Sequence, residues 1–191
     1  MRACHSLLRP LHLLRDTLLA VGSLRGGHMT KQVGHGIIRV IGVGNVWRGD
    51  DAVGLLAARR LRDRLGVSVE VVEAEGDGLA LLDLMEGIDH VILIDAVKGE
   101  GGPGMIVRLD LSTESRWGTV VPCSTHAMGV ADAIDLARAM GRLPKQIILY
   151  GIEIESVESG APLSEAVRER LDIVVEQVNQ EVERTRCMNS I

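Results

Sequence analysis

Three short aliphatic runs constrain the fold of this chain more than any other feature of its sequence. They are "GIIRVIGVG" (36–44), "HVILIDAV" (90–97) and "QIILYGIEI" (146–154). None alternates strictly between apolar and polar residues, which is typical of strands that are covered on both faces. Segments with helical spacing of their apolar residues lie between them, beginning with "AVGLLAARRLRDRLG" (52–66). Buried strands that alternate with helices predict a mainly parallel sheet.

Two further segments complete the predicted sheet. "VSVEVVEAEG" (67–76) is the second predicted strand in chain order, and "PGMIVRLDL" (103–111) is the fourth. The fourth strand lacks a clear helix before it, so this strand is the one that can run antiparallel to the others. We therefore predict a single-domain, three-layer α/β/α fold. Its twisted, mainly parallel sheet has five strands, with helices on both faces.

Three more helices are predicted from apolar spacing and stop signals. "GLALLDLMEG" (78–87) is a short helix, and a second follows "PCSTHAMG" (122–129) and stops at Gly141. The last helix begins near Ser164 and runs to about Thr185. Because the chain contains no Phe, these elements must build an aliphatic core.

The first 35 residues differ from the rest of the chain. Charged residues such as Arg9 and Asp16 interrupt their apolar stretch, so neither a membrane span nor an export signal is indicated. We expect residues 1–35 to be an appendage, either disordered or translated from an upstream start, in which case Met29 is the natural beginning. The folded domain is predicted to span residues 36–187.

Charge and cysteine content limit the partners and the compartment. The formal net charge is −5 at pH 7, and the first 35 residues are basic, so the predicted domain is more acidic still. An acidic surface without a basic stripe argues against nucleic acid as a partner. The three cysteines (Cys4, Cys123 and Cys187) lack the spacing of a disulfide framework, which favours reduced thiols in the cytoplasm.

Reactive side chains collect at one predicted edge of the sheet. Open α/β sheets bind their ligands at the carboxyl ends of the strands. The first strand leads to Asp50 and Asp51, and the third ends near Asp95. The connection after the fourth strand carries Cys123 and His126. Carboxylates that lie close together raise one another's pKa values unless a positive charge intervenes, and a divalent cation would meet that need.

Each of these candidates also has a less specific interpretation. Asp50 and Asp51 could only cap the next helix and complement its dipole. Asp95 could accept hydrogen bonds from loop amides, although a carboxylate directly after "VILI" needs partners in an apolar setting. His126 could be an ordinary loop residue. For Cys123, an inert thiol is preferred over half a zinc site or a thiol–imidazole pair.

Other polar residues of these segments are expected to lie outside the immediate site. We expect Glu73, Glu75 and Glu153 to be solvated or to support the site residues indirectly. His90 is expected at the entrance of the third strand, at the opposite end of the sheet from Asp95.

The glycine turn after the first strand permits an alternative. Gly42 and Gly44 match the start of a dinucleotide-binding fingerprint, but Trp47 stands where its third glycine belongs. Glu73 or Glu75 could then hold a ribose. Two aspartates at the start of the helix would oppose a pyrophosphate, so this interpretation is weak.

Four separated segments together resemble one family. They are "GVGNVWRGDDAVG" (42–54), "ILIDAV" (92–97) followed by "PG", "STHAMGVADAIDLARAMGRLP" (124–144), and "YGIEI" followed by "LSEAV". Their order resembles that in the nickel–iron hydrogenase maturation endopeptidases, and the resemblance spans residues 37 to about 180. It implies a cytoplasmic peptidase that removes the C-terminal extension of a hydrogenase large-subunit precursor after nickel insertion. It also implies a twisted α/β sheet covered by helices on both sides.

The resemblance further implies the residues of the site. The metal-binding positions of the family correspond to Asp51, Asp95 and His126, which we also expect to be catalytic. Two carboxylates and one imidazole suit nickel or zinc. The ion can also be the nickel that the substrate already holds. Asp50 is expected to help by capping the helix that carries Asp51, and Trp47 either lines the substrate groove or packs in the core.

Three other functions remain compatible with the sequence. A nucleotide- or cofactor-binding enzyme would use the glycine turn, and a non-catalytic chaperone would sense nickel in the precursor without cutting it. A cysteine peptidase would use Cys123. The expected partner is the hydrogenase large-subunit precursor, with no nucleic acid and no membrane, and a monomer is compatible with the sequence.

Overall fold

The computed structural model describes most of the chain beyond the predicted appendage. The described residues are 34–67, 69–75, 78–113, 121–122 and 129–189. The chain separates into two units, Met1–Lys31 and Gln32–Ile191. The first unit lies outside the described residues, so the predicted disorder of residues 1–33 stays a prediction, whereas Gly34 and His35 belong to the first strand.

The second unit alternates strands and helices along the chain. In chain order, the elements are β1 (Gly34–Gly44), α1 (Val53–Arg64), β2 (Val69–Glu75), α2 (Gly78–Met85), β3 (Ile88–Lys98), β4 (Ile106–Asp110), β5 (Val121–Pro122), α3 (Val130–Ala139), β6 (Gln146–Glu153) and α4 (Glu165–Asn189). A 3₁₀ turn, Gly49–Ala52, precedes α1. Among the helices of the described residues, none is long and apolar enough to cross a membrane.

One sheet organises these elements. Its continuous order is β2-β1-β3-β6-β4, and β5 pairs with β3. β1, β2, β3 and β6 run parallel, whereas β4 is antiparallel to β6. The mainly parallel α/β fold and the antiparallel course of the fourth predicted strand are confirmed. The five predicted strands form the continuous sheet. The two-residue β5 was not predicted, because it is too short to show a pattern in the sequence.

The aliphatic core consists of two clusters, and single strands contribute to both. In β1, Val40 belongs to the cluster formed with α1 and α4, whereas its neighbour Ile41 belongs to the cluster formed with α2 and α3. In β3, Ile94 and Leu93 divide in the same way. Successive side chains of a strand point to opposite faces. This division explains why the sequence runs show no polar alternation.

Close packing of α1 against the strands accounts for the glycines of the first loop. A Cβ atom on Gly42 would lie 2.2 Å from the carbonyl oxygen of Gly54 in α1. A Cβ atom on Gly54 would lie 2.2 Å from a carbonyl oxygen of β1 and 2.3 Å from one of β3. Gly44 has a φ of 151°, and its Cβ would lie 1.9 Å from the carbonyl oxygen of Asp51. The glycine turn is therefore required by backbone packing, without reference to a nucleotide.

Candidate active site

Asp51 and Asp95 lie together at the carboxyl ends of β1 and β3. Asp51 belongs to the 3₁₀ turn after β1, Asp95 belongs to β3, and each is only 3% exposed. Oδ1 of Asp95 accepts a hydrogen bond from the Ala96 backbone N–H at 2.9 Å. Burial raises the pKa of Asp95 well above its usual value, and the charge of Asp51 raises it further. Two carboxylates therefore share one poorly solvated region of the sheet edge.

Backbone hydrogen bonds hold the turn that carries Asp51. The Asn45 N–H donates to the Asp51 carbonyl at 3.1 Å, and the Asp51 N–H donates to the Arg48 carbonyl at 3.0 Å. The N-cap residue of α1 is Ala52, and it makes no side-chain cap hydrogen bond. The 3₁₀ turn therefore leads into α1 without an aspartate cap.

The carboxylate of Asp50 binds the connection between β6 and α4 and does not cap α1 as predicted. Asp50 is 1% exposed. Its Oδ2 accepts hydrogen bonds from the Glu155 N–H at 2.9 Å and the Ser156 N–H at 3.2 Å. Its Oδ1 accepts one from the Ser164 N–H at 2.6 Å. The prediction that Asp50 caps α1 is wrong, because the 3₁₀ turn directs its carboxylate to the β6–α4 connection.

His126 and Cys123 lie outside the described residues, so their placement stays a prediction. The strand before them, β5, ends at Pro122, which pairs with Val97 of β3. On one side of β3, β6 pairs with it as far as Val97. On the other side, β1 pairs with β3 only as far as Ile94, so β5 pairs with β3 on this side, beyond the end of β1. The chain thus enters the segment of His126 from a point two residues along β3 from Asp95.

Glu153 is buried, so the first of its two expected roles, a solvated side chain, is wrong, and the expected indirect support of the site is the one that its position allows. It is 3% exposed, and its carboxylate accepts hydrogen bonds from the N–H of Gly101 at 3.2 Å and of Gly102 at 2.7 Å. A Cβ atom on Gly99 would lie 2.5 Å from Oε1 of Glu153, so a glycine lets the loop approach the carboxylate. Glu153 therefore fixes the loop that follows β3, the strand of Asp95.

Glu73 and Glu75 do not join this group. Glu73 forms ion pairs of 2.9 Å with both Arg59 and Arg62 of α1. Burial opposes the ionisation of Glu73, but the hydrogen bonds from the two arginines outweigh it and lower its pKa. Glu75 is exposed at the end of β2. Glu73 therefore joins β2 to α1 and is not available to hold a ribose.

Two other predicted residues have clear positions. Trp47 is 74% exposed, so the alternative that it packs in the core is wrong. Its N–H donates to Oδ1 of Asn45 at 2.9 Å, and its carbonyl accepts from the Gly160 N–H at 2.8 Å. His90 lies near the start of β3, as expected, with Nδ1 3.1 Å from Oε1 of Gln146.

Sequence reasoning missed Arg48. Its Nε is buried and has no hydrogen-bond partner among the residues that the structure describes. The only signal in the sequence is its place between Trp47 and the pair Asp50–Asp51, which by itself is typical of an ordinary loop residue.

A second polar cluster, in which Glu181 and Tyr150 are buried and Arg108 is exposed, joins β4, β6 and α4. Glu181 accepts hydrogen bonds from Nε and Nη2 of Arg108, both at 2.9 Å, and from the Tyr150 hydroxyl at 2.9 Å. Burial and the hydrogen bond to Glu181 raise the pKa of Tyr150 to about 12. Because its groups satisfy one another, this cluster serves as a structural cross-link.

Comparison with known proteins identifies relatives of this chain. The family profile described as HycI, hydrogenase maturation protease, matches residues 53–181, a range that includes Asp95 and His126. The hydrogenase 2 maturation protease of Escherichia coli K12 is 32% identical over 145 residues, which cover 74% of this chain and 87% of that protein. The hydrogenase expression/formation protein HupD of Bradyrhizobium diazoefficiens is 28% identical over 137 residues, covering 70% of this chain and 71% of the relative.

Solved structures agree with these relatives. The hydrogenase maturating endopeptidase HybD from Escherichia coli superposes with a TM-score of 0.65 at 29% identity, covering 78% of this chain and 93% of HybD. A [NiFe] hydrogenase maturation protease HycI from Thermococcus kodakarensis gives a TM-score of 0.60 at 25% identity, covering 76% and 92%. Sequence and fold therefore lead to one assignment: the chain belongs to the hydrogenase maturation protease family, and it is a hydrolase of the endopeptidase class.

Proposed function

We propose that this chain removes the C-terminal extension of a nickel–iron hydrogenase large-subunit precursor after nickel insertion. The observation that carries the proposal is the buried pair Asp51–Asp95 at the sheet edge of a chain from this peptidase family. Two similar structures, a hydrogenase maturating endopeptidase and a [NiFe] hydrogenase maturation protease, support this reaction class.

The charge distribution at this edge fits a divalent cation. Asp95 is buried beside a like charge, Asp51, and a cation would relieve the resulting repulsion. We propose that Asp51, Asp95 and His126 hold nickel or zinc and are the catalytic residues, since carboxylate and imidazole groups suit both ions. When bound, the ion polarises the scissile carbonyl and lowers the pKa of the attacking water. Nickel already held by the precursor is one source of this ion.

The surrounding residues keep the two carboxylates in place. Asp50 ties the turn of Asp51 to the β6–α4 connection through three backbone amides. Glu153 ties the loop after β3 to β6 through two more. Because these supports are buried and hydrogen-bonded, Asp51 and Asp95 can meet the substrate with little rearrangement.

We take the sheet to be twisted with helices on both faces, which the two core clusters support. We place the reaction in the cytoplasm, in line with the free and exposed Cys187. The precursor is the proposed macromolecular partner, and the net charge of −5 disfavours nucleic acid.

The test is to incubate the purified protein with nickel-loaded and with nickel-free precursor and to follow the mass of the precursor. We expect loss of the C-terminal extension only from the nickel-loaded form. Asp95→Ala and His126→Ala should abolish the cut, whereas Asp63→Ala, on the exposed face of α1, should not. Nickel-dependent binding without a change in mass would instead identify a chaperone. Unchanged cleavage by the two site variants would remove those residues from the mechanism.

The source of the ion is decided by metal analysis of the same samples. A resident ion predicts about one equivalent of zinc or nickel in the protein purified without precursor, and less in Asp95→Ala. An ion supplied by the substrate predicts metal in the precursor alone.

A further inference from the structure

Arg48 differs from the other charged residues around the site because one of its buried side-chain nitrogens, Nε, has no hydrogen-bond partner among the described residues. Asp50, two residues further on, directs both of its carboxylate oxygens to backbone amides of another connection. A buried donor without a partner is costly and rare in folded proteins. Arg48 is therefore a candidate to bind a group from outside this chain.

The backbone around Arg48 is fixed. The Arg48 N–H donates to the Asn45 carbonyl at 3.2 Å, and the Arg48 carbonyl accepts from the Asp51 N–H at 3.0 Å. The preceding carbonyl, that of Trp47, accepts from the Gly160 N–H at 2.8 Å. The unpaired Nε thus belongs to a well-anchored turn. Arg48 directly precedes the 3₁₀ turn that carries Asp51.

The neighbouring residue supplies an apolar surface. Trp47 is 74% exposed, although the backbone that carries it is held on both sides by hydrogen bonds. Trp and Arg are the side chains most enriched among residues that dominate protein binding energies. An exposed indole and an unpaired guanidinium nitrogen therefore stand on consecutive residues of one anchored turn.

The chemistry of the edge selects the group that Arg48 takes. Asp51 and Asp95 are buried carboxylates, and the chain has a net charge of −5, so an anionic ligand is disfavoured. A peptide carbonyl is neutral and accepts an N–H hydrogen bond. We propose that Arg48 is a substrate-positioning residue: its half-buried side chain turns when the precursor segment enters the site, so that Nε donates to a backbone carbonyl of that segment, while Trp47 packs on it. This inference rests on the proposed function.

The first test compares cleavage kinetics of Arg48→Ala and Arg48→Lys on nickel-loaded precursor. Both should raise KM about tenfold and change kcat by less than about twofold, which corresponds to the loss of one hydrogen bond from a charged donor. Lysine keeps the charge but lacks the planar Nε–H, so an equal loss in both variants assigns the effect to hydrogen-bond geometry. The matched control is Arg170→Ala, an exposed arginine of α4, which should behave as wild type.

The second test separates docking from stability. In a cleavage-deficient Asp95→Asn background, adding Arg48→Ala or Trp47→Ala should weaken precursor binding in a calorimetric titration. The urea unfolding midpoint should stay level or rise for Arg48→Ala, because a buried unpaired donor is removed. An unchanged KM, or a fall in stability accompanied by a fall in kcat alone, overturns the inference. If wild-type protein binds the precursor through Arg48 but leaves it uncut, the proposed cleavage fails and the docking role stands.

Discussion

Replacing Asp50 by alanine should weaken both the fold and the site. The substitution removes three hydrogen bonds, from the backbone N–H groups of Glu155, Ser156 and Ser164. Asp50 is 1% exposed, so the lost carboxylate leaves a cavity between the turn of Asp51 and the start of α4. The turn then keeps its own backbone hydrogen bonds but loses its side-chain connection to the rest of the domain.

The magnitude follows from the number and exposure of these bonds. A hydrogen bond to a charged group contributes about 1.5–3 kcal/mol, and such contributions do not simply add. Glu155 and Ser156 are exposed residues, so water can reach their amides and recover part of the loss. We expect Asp50→Ala to lower the free energy of unfolding by about 3 kcal/mol and Asp50→Asn by about 2 kcal/mol. Asparagine retains one acceptor oxygen, but its NH₂ group faces at least one amide donor.

Urea unfolding followed by far-UV circular dichroism measures this loss. Asp63→Ala is the matched control, because Asp63 is exposed on α1 and makes no hydrogen bond or ion pair within the described ranges. Under conditions where Asp50→Ala is folded, its rate of precursor cleavage should also fall, because Asp51 loses its support. Equal unfolding free energies for the Asp50 and Asp63 variants would refute the anchoring argument. Reduced stability with full cleavage would refute the link to Asp51.

Three other substitutions test separate parts of the structure. Burial and the charge of Asp51 raise the pKa of Asp95, so the metal-free fold loses stability as pH rises from 3.8 toward that raised value. Asp95→Asn should therefore raise the Tm of metal-free protein at neutral pH, and the difference should vanish at about pH 3 in scanning calorimetry. Hydrogen bonds from Arg108 lower the pKa of Glu181 below its usual value of 4.5. Ionised Glu181 therefore stabilises the fold above pH 4.5, and this stability is lost as the pH falls through the lowered pKa. Glu181→Gln should therefore cost stability in urea at neutral pH, and a cost that persists unchanged at about pH 2 would contradict this origin. Gly54→Ala places a Cβ 2.2 and 2.3 Å from two carbonyl oxygens and should destabilise by about 3 kcal/mol or more, whereas Gly66→Ala, with no heavy atom within 4 Å, should be tolerated.

The sequence by itself determined the class of the fold. Strands that are covered on both faces need apolar side chains at successive positions, so their signature is a local run that is visible without coordinates. The same topology directs the ends of parallel strands to one edge. For this reason Asp51 and Asp95, each placed at a strand end, could be expected to lie together before their environment was known. His126 remains a prediction of this kind.

Tertiary structure decided how single loop side chains are used. The amides that bind Asp50 lie 105 to 114 positions away in the chain, and those that bind Glu153 lie across the sheet edge in another loop. The unpaired Nε of Arg48 and the two-residue strand β5 likewise have no periodic signature. Periodic patterns report which faces are buried, because burial recurs along an element. A directed hydrogen bond from one loop residue exists only after folding brings distant backbone groups within reach of it.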